Sequence, residues 1–276
     1  MVEMKRFENW DEVVKCVSSA RNKGCMVTNF FPDEKRMKRW CEKGDFSFEE
    51  SSKSTFLIRH QETFSNLYFL TESSESLIKD ISSFLTENNS IRIVVDVLGP
   101  DIVRKPLETV FESLGFKVLT VLQRMSRRTP SDKYNLENGI ETAKISDTVA
   151  IHSLLTENFI AEEEQIPCLE EIQNWINSGS ILVSRANNLS DINGFIIFDF
   201  SPATLYLRYW FVLPDGRGNG LGGRLMRSMF AKGEQTKRQY FWVKTNNVNA
   251  IIRYKHYGFE FEPLKDAVFM LESYFV

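Results

Sequence analysis

The sequence predicts an α+β fold built as two similar halves in tandem. Three observations lead there. Helix-length segments with an apolar stripe are interspersed with short apolar runs of strand length. Three such runs, Ser180 to Asn187, Ile192 to Phe200 and Ala203 to Leu213, follow one another with short turns between them. A phrase near the middle, "VFESLGFKVLTVLQRM" from Val110, has a counterpart near the end, "RYKHYGFEFEPLKDAVFM" from Arg253. Both read as a short helix, a Gly-Phe stop and apolar strands. The stops, Gly115-Phe116 and Gly258-Phe259, lie about half the chain apart, as in a duplicated unit.

In the first half, helices are expected at 10–22 and 32–44, and strands at 55–60 and 65–71. A helix at 74–86, a strand at 91–99 and a helix at 102–113 follow. The polar stretch "RRTPSDKYNLENG", residues 127–139, reads as the linker. The domains are accordingly placed at 1–130 and 139–276. In the second half "IETAKI" reads as a first strand, with helices at 146–159 and 168–179, each opening on a polar cap candidate or an acid. After the three strands comes a helix from about Asn219 to Gly233, with Leu221, Leu225 and Met229 at fourfold spacing. A strand at 238–245, a helix at 249–258 and a strand pair within 259–273 close the chain.

Composition narrows the chemistry. The 276 residues carry a net charge of -3, which argues against general nucleic-acid binding. Cys16, Cys25, Cys41 and Cys168 show no paired metal-ligand spacing, and His60, His152 and His256 stand far apart. No metal site is expected. The four cysteines read as free thiols of a reducing compartment. The opening residues do not read as a signal peptide, and no apolar run approaches bilayer length. A cytoplasmic protein with no membrane partner is expected.

The informative stretch is "PDGRGNGLGGRL", residues 214–225, between the apolar run "LYLRYWFVL" and a helix. That run is apolar on both alternations except at Arg208, so both faces are expected to be buried. The glycines place several backbone N–H groups at a helix start, where they lack partners inside the helix. With the helix dipole they form an anion site. Gly218, Gly220 and Gly222 let the backbone approach a bulky anion such as a pyrophosphate. Each charge-assisted amide bond contributes roughly 1.5–3 kcal/mol, so three or four outweigh a dipole contribution of about 1–2 kcal/mol. Arg217 and Arg224 add positive charge at the rim. A flexible connector is the plain alternative. A Walker-type loop is disfavoured, since no Lys-Ser or Lys-Thr follows the last glycine. A dinucleotide fingerprint is disfavoured because the turn follows several strands instead of opening a βαβ unit.

Val212 to Gly222 resembles the acyl-CoA signature of the GNAT superfamily of N-acetyltransferases, with Arg217, Gly220 and Gly222 at the signature positions. Downstream, Asn247, Ala250, Tyr254 and Gly258-Phe259 fall at the spacing similar enzymes show after their fifth strand. The resemblance covers residues 139–276. It implies a mixed central sheet flanked by helices, and a strand before the loop that splays from its neighbour to admit the pantetheine arm of acetyl-CoA. It implies that the main chain of Trp210, Phe211 and Val212 bonds the arm and the thioester carbonyl, one N–H there stabilising the oxyanion. The amides of Arg217, Gly218, Asn219, Gly220, Leu221 and Gly222 would hold the pyrophosphate, Asn247 would orient the arm and Tyr254 would face the departing sulfur. The implied reaction moves an acetyl group to a primary amine, of a small molecule or a protein, by direct attack through a tetrahedral intermediate. A phenol titrates near 10 and a thiol near 8.5, so full proton transfer from Tyr254 to the thiolate is uphill by about 2 kcal/mol. A hydrogen bond to the developing charge is the expected role. The plain alternative packs Tyr254 in the core.

An alkylammonium at pH 7 must lose a proton at a cost of about 4.6 kcal/mol, and some group or water chain must accept it. Similar enzymes often carry a glutamate on the fourth or fifth strand. Neither "LYLRYWFVL" nor "RQYFWVKT" holds a carboxylate, and Trp242 occupies a place some relatives give to glutamate. Asp199, Glu157 and Glu162 to Glu164 are the candidates. The triple glutamate also reads as a solvated turn or as a rim that attracts cations. The first half has no glycine or arginine between "NLYFLT" and its helix, and there Glu72 and Glu75 would repel a pyrophosphate. By the Gly-Phe count Phe111 stands for Tyr254 and Arg104 for Asn247. This half is expected to be a degenerate GNAT-like domain without cofactor. An acyl-CoA sensor or scaffold with little catalysis is the rival from another class.

Overall fold

The computed structural model describes residues 4–88, 92–131, 133–186 and 191–272; Ile91, Asn187 and Ser273, at the margins of expected segments, and Asp132, inside the expected linker, lie outside them. The chain divides into two compact units, residues 1–122 with 263–276, and residues 123–262. Sequence reading had drawn the line at 130 and 139. The difference has a simple origin. The strand after each Gly-Phe stop runs on for twelve residues, Lys117–Arg128 and Glu260–Leu271, and each is cut by a unit boundary. Neither is a pair of short strands.

The first unit runs β1 (Lys5–Arg6), α1 (Trp10–Asn22), β2 (Val27–Thr28), α2 (Glu34–Lys43), β3 (Phe46–Glu50), β4 (Ser54–His60), β5 (Ser65–Thr71), α3 (Ser74–Glu87), β6 (Ile93–Gly99) and α4 (Asp101–Ser113), then enters β7 (Lys117–Arg128). Its sheet order is β1, β3, β4, β5, β6, followed by the chain's closing segment 263–271. Among the described residues of this unit, β5 and β6 are the strands that pair in parallel. Period-two alternation assigns the faces. Phe56, Ile58, Leu67 and Phe69 pack with α3 and α4, while Leu57, Tyr68 and Leu70 pack with α1 and α2. The short charged strand β3 carries too weak an apolar alternation to be read from sequence.

The second unit takes the end of β7, then β8 (Glu141–Thr142), α5 (Thr148–Asn158), α6 (Leu169–Asn177), β9 (Ile181–Arg185), β10 (Ile192–Phe200), β11 (Thr204–Val212), α7 (Leu221–Lys232), β12 (Arg238–Lys244), α8 (Val248–His256) and the start of β13 (Glu260–Leu271). Of "IETAKI" only two residues are strand; Ile145–Asp147 turn into a 3₁₀ helix. The sheet order is β7, β12, β11, β10, β9, β8, with β11 and β12 parallel. One face packs on α7 and α8 and the other on α5 and α6. Both units are thus mixed sheets flanked by helices. The two Gly-Phe stops share one hydrogen-bond pattern. The Phe116 N–H donates to the Phe111 carbonyl and the Phe259 N–H to the Tyr254 carbonyl, each at 3.1 Å. Phe111 and Tyr254 therefore hold equivalent places. Among the described residues no helix is long and apolar enough to cross a membrane.

The expected linker is bound to its own unit. Tyr134 packs on Phe230 at 5.1 Å, Glu137 pairs with Arg227 at 2.6 Å, and Arg224 donates to the Asn138 carbonyl at 3.0 Å. Its polar side chains suit the outward arginines of α7, so polarity here marks a strap along a helix.

In the first unit Asp96 stands opposite Val268 and Asp266 opposite Leu98, which puts both carboxyls on one face. Burial pushes Asp96 up to about 6 and holds Asp266 well above the ordinary range, and the Asp96 charge raises Asp266 further. A carboxyl raised on folding stabilises below its unfolded value and loses that contribution as pH rises through the folded one. Thermal unfolding should therefore give a higher midpoint at pH 6 than at pH 8, and Asp266→Asn should remove most of that difference.

Candidate functional site

Strand β11 pairs in parallel with β12 only over Thr204↔Arg238, Leu205↔Gln239 and Tyr206↔Tyr240. Against β10 it stays paired to Val212↔Gly194. The two parallel strands therefore part after Tyr206. The register with β10 slips where Ile197 faces Tyr209 and Phe198 faces Leu207, leaving Arg208 as the extra residue of a bulge. A bulge bends its strand and re-aims the side chains beyond it. Leu205 and Leu207 face α7 and α8, Tyr209 and Phe211 face α5 and α6, and Trp210 and Val212 return to the α7 side. Buried residues thus lie on both faces, as expected, but the bulge hands them from one face to the other: Leu205 and Leu207 on the α7 and α8 side, Tyr209 and Phe211 on the α5 and α6 side, while Tyr206, Arg208, Trp210 and Val212 are half-buried.

At the wide end of this wedge, a short 3₁₀ turn, Pro214–Gly216, leads to α7. Gly220 is the N-cap, in the left-handed region at φ +73°, and no side chain caps the helix. The first bond back into the turn is from Arg224 N–H to the Gly220 carbonyl at 3.0 Å. The amides of Leu221, Gly222 and Gly223 precede it and point out of the helix start. Gly218, at φ +87°, and Gly220 both border open space. A Cβ at Gly222 would lie 3.0 Å from Trp210 Cζ2, so the glycine lets the helix start sit against the indole. Trp210 Nε1 is buried there without a hydrogen-bond partner. Arg217 Nε donates to the Val212 carbonyl at 3.0 Å, folding the loop over the strand end.

Tyr254 is only 8% exposed and its ring lies 3.9 Å from Phe241 and 5.7 Å from Trp210. Burial, then the Glu164 charge, push its hydroxyl above the ordinary phenol value. Asn247 is the N-cap of α8, its Oδ1 accepting the Ala250 N–H at 3.2 Å. That oxygen is committed to the helix, and Nδ2 is the part of the amide left for other contacts.

On the α5 and α6 side, the triple glutamate is half-buried and is not a solvated turn. Lys244 Nζ lies 2.6 Å from Glu163 Oε2 and 3.1 Å from Glu164 Oε1. The Tyr209 hydroxyl donates to the Gln165 carbonyl at 2.6 Å, tying this turn to β11. Burial raises the Glu164 carboxyl, with Lys244 opposing. Asp199 is paired with Arg208, and Glu157 is exposed. Sequence reading missed the Lys244 partnership. The lone cation in "FWVKT" two residues past Trp242 was the available signal.

The first unit repeats the plan and fills it. β5 and β6 pair in parallel only at Ser65↔Ile93 and Asn66↔Val94, then part. Here β2 pairs with β5 at Val27↔Thr71 and Thr28↔Leu70. The next residue, Asn29, accepts the Phe69 N–H at 2.8 Å and donates to the Leu67 and Asp96 carbonyls at 3.1 and 2.9 Å. One buried amide thus bridges the diverging strands. At the start of α3, the Ser73 hydroxyl caps by accepting the Ser76 N–H at 3.2 Å. Arg104 lies within α4, paired with Asp101 at 2.8 Å and with Glu108. In the second unit, among the described residues, no strand pairs with β11 beyond Tyr206 on its β12 side.

Residues 148–259 match the family model described as Acetyltransferase (GNAT) family. No curated protein matches the chain. Solved structures similar in fold include a tandem GNAT protein from the clavulanic acid biosynthesis pathway, at 11% identity and TM-score 0.64 with 98% of each chain covered. A Drosophila protein aligns at 12% identity and TM-score 0.60, again over 98% of each chain. A GCN5-related N-acetyltransferase from Sphaerobacter thermophilus aligns at 10% identity and TM-score 0.58, over 94% of this chain and 91% of that one. At these identities the likeness is one of fold.

The plug in the first unit gives a direct test. Asn29→Ala removes three buried hydrogen bonds and leaves one N–H and two carbonyls unpaired, so it should cost about 2–4 kcal/mol. A lowered urea midpoint measures it.

Proposed function

We propose that the second unit, which carries a domain of the GNAT acetyltransferase family, moves an acetyl group from acetyl-CoA to a primary amine by direct attack, and that the first unit binds no cofactor. The fold of this family supports acyl transfer in general. What carries the finer reading is the open wedge between β11 and β12, ending at a helix start that no side chain caps.

The residues present fit such a ligand. An extended arm bearing amides suits main chain left without a neighbouring strand. A diphosphate suits the amides of Gly218 to Gly222, with the open space at Gly218 and Gly220, whereas the Arg217 N–H expected to join them already donates to the Pro214 carbonyl at 3.1 Å. The orphaned Trp210 Nε1 is a donor still to be satisfied. The thioester supplies an activated acetyl carbon and a thiolate leaving group. The chain's own residues bind and orient. Main chain at Trp210, Phe211 and Val212 holds the arm, and an N–H there steadies negative charge on the carbonyl oxygen. Asn247 Nδ2 contributes to holding the arm. Tyr254 gives a hydrogen bond to the departing sulfur; its raised pKa keeps the proton on the phenol and so favours donation over full transfer. In the first unit β2 and Asn29 occupy the wedge, Ser73 caps the helix, and Phe111 holds the place of Tyr254 without a hydroxyl.

Calorimetry should find one coenzyme A per chain. Two would overturn the silent first unit, and none the whole reading. Tyr254→Phe should lower turnover about 10- to 100-fold, the loss of one hydrogen bond to a charged group, with little change in acetyl-CoA affinity. Steady-state kinetics paired with the calorimetry would measure both.

A further inference from the structure

We propose that Glu164, held by Lys244 beside the wedge, takes the proton from the incoming amine. This rests on the acetyl-transfer reading and names the base that reading requires.

Four observations converge. The carboxylates expected from similar enzymes are absent from β11 and β12, and of the remaining candidates Asp199 is neutralised by Arg208 while Glu157 is exposed. Glu164 is anchored from two sides: its N–H donates to the Ile160 carbonyl at 2.9 Å, and the neighbouring Gln165 carbonyl accepts the Tyr209 hydroxyl at 2.6 Å. Tyr209 directly precedes Trp210, so the turn is fastened to the strand that borders the wedge. Lys244 bridges Glu164 and Glu163 from β12. Two carboxylates with one ammonium leave a net negative charge, which favours a second cation such as an alkylammonium. The fourth observation comes from the opposite face. Tyr254, nine-tenths buried on α8, feels the charge of Glu164, which after burial raises its hydroxyl. The carboxylate is thus within electrostatic reach of the residue assigned to the leaving sulfur.

The groups that interact electrostatically with Glu164 are Lys244 from β12, which also pairs with it at 3.1 Å, Glu163 from its own turn, Tyr209 from β11 and Tyr254 from α8. Burial raises the carboxyl toward the working range of a base and Lys244 keeps it from rising further. The protons balance. One proton of the ammonium passes to Glu164 and the freed nitrogen forms the N–C bond. As the C–S bond breaks, a second N–H proton leaves the nitrogen and ends on the coenzyme A sulfur. Glu164 then returns its proton to water, so each turnover yields the amide, the thiol and one proton.

The test uses the full chain with Glu164→Gln and Glu164→Asp, assayed for thiol release from acetyl-CoA with ethylamine, phenethylamine, spermidine and a lysine-containing peptide. Coenzyme A affinity is measured in parallel. Glu164→Gln is expected to lose about 10²–10⁴-fold in kcat/KM at pH 7 while binding coenzyme A as the parent does. Its activity should climb with pH as the free amine accumulates, and the deficit should shrink for trifluoroethylamine, an amine of low basicity. Glu164→Asp should recover part of the rate. A structural role would not follow amine basicity. Unaltered activity and pH profile in Glu164→Gln, or a deficit equal for all amines, would overturn the assignment and leave the acetyl-transfer reading standing. A parent protein that binds coenzyme A yet accepts no amine would remove catalysis and the base together. A parent that ignores coenzyme A would remove the reading beneath both.

Discussion

Two parallel strands that hold together for three residue pairs and then separate set the rest of the second unit. Interior main chain does not tolerate unpaired N–H and C=O groups, so a parting of this kind must be closed by something. The bulge at Arg208 creates it by bending β11 while the pairing with β10 continues. The chain then offers two solutions to one problem. In the first unit it closes the gap itself, with two residues of strand and the side-chain amide of Asn29. In the second unit no strand of the described chain does so, and the gap leads to a helix start that is equally unsatisfied. Proposing an acyl-CoA there is a statement about which partner closes both at once.

The same contrast extends to the helix termini. A serine hydroxyl and a first-turn glutamate suit the positive end of α3, and such a terminus has no need of an external anion. At α7 the cap is a glycine, and the nearby side chains are arginines. Both are already tethered to carbonyls, Arg217 to Val212 and Arg224 to Asn138. A guanidinium bound to a neutral carbonyl keeps its charge, so these contacts position positive charge without cancelling it.

Much of this was legible in the sequence because it rests on local rules. Left-handed glycines, the fourfold spacing on α7 and the Gly-Phe stop depend on neighbours a few residues away, and the helices and strands around them fall close to where they were expected. The duplication was legible because one hydrogen-bond pattern imposes one local sequence twice. What escaped depends on distant partners. The bulge at Arg208 leaves no compositional mark, and with it the buried alternation passes from one face of the strand to the other. Nothing near Asn29 in the sequence announces its three partners, which lie 38, 40 and 67 positions away. Glu163 and Glu164 read as a solvated turn because Lys244 is some eighty residues distant. The residues of 127–139 read as a linker because polarity alone does not distinguish a tether from a strap that binds arginines.

Residues 263–271 complete the sheet of the first unit, pairing with β6 from Lys265 to Leu271. The first unit therefore lacks one strand of its sheet until residues 263–271, far downstream in the sequence, have been made. Until then β6 presents an apolar, unpaired edge, the sort of template that invites wrong partners. Contacts spanning some 170 residues of chain are slow to form. The amino-terminal half thus cannot mature ahead of its successor. Removing residues 263–271 would wound the part of the molecule that lies farthest from them in sequence.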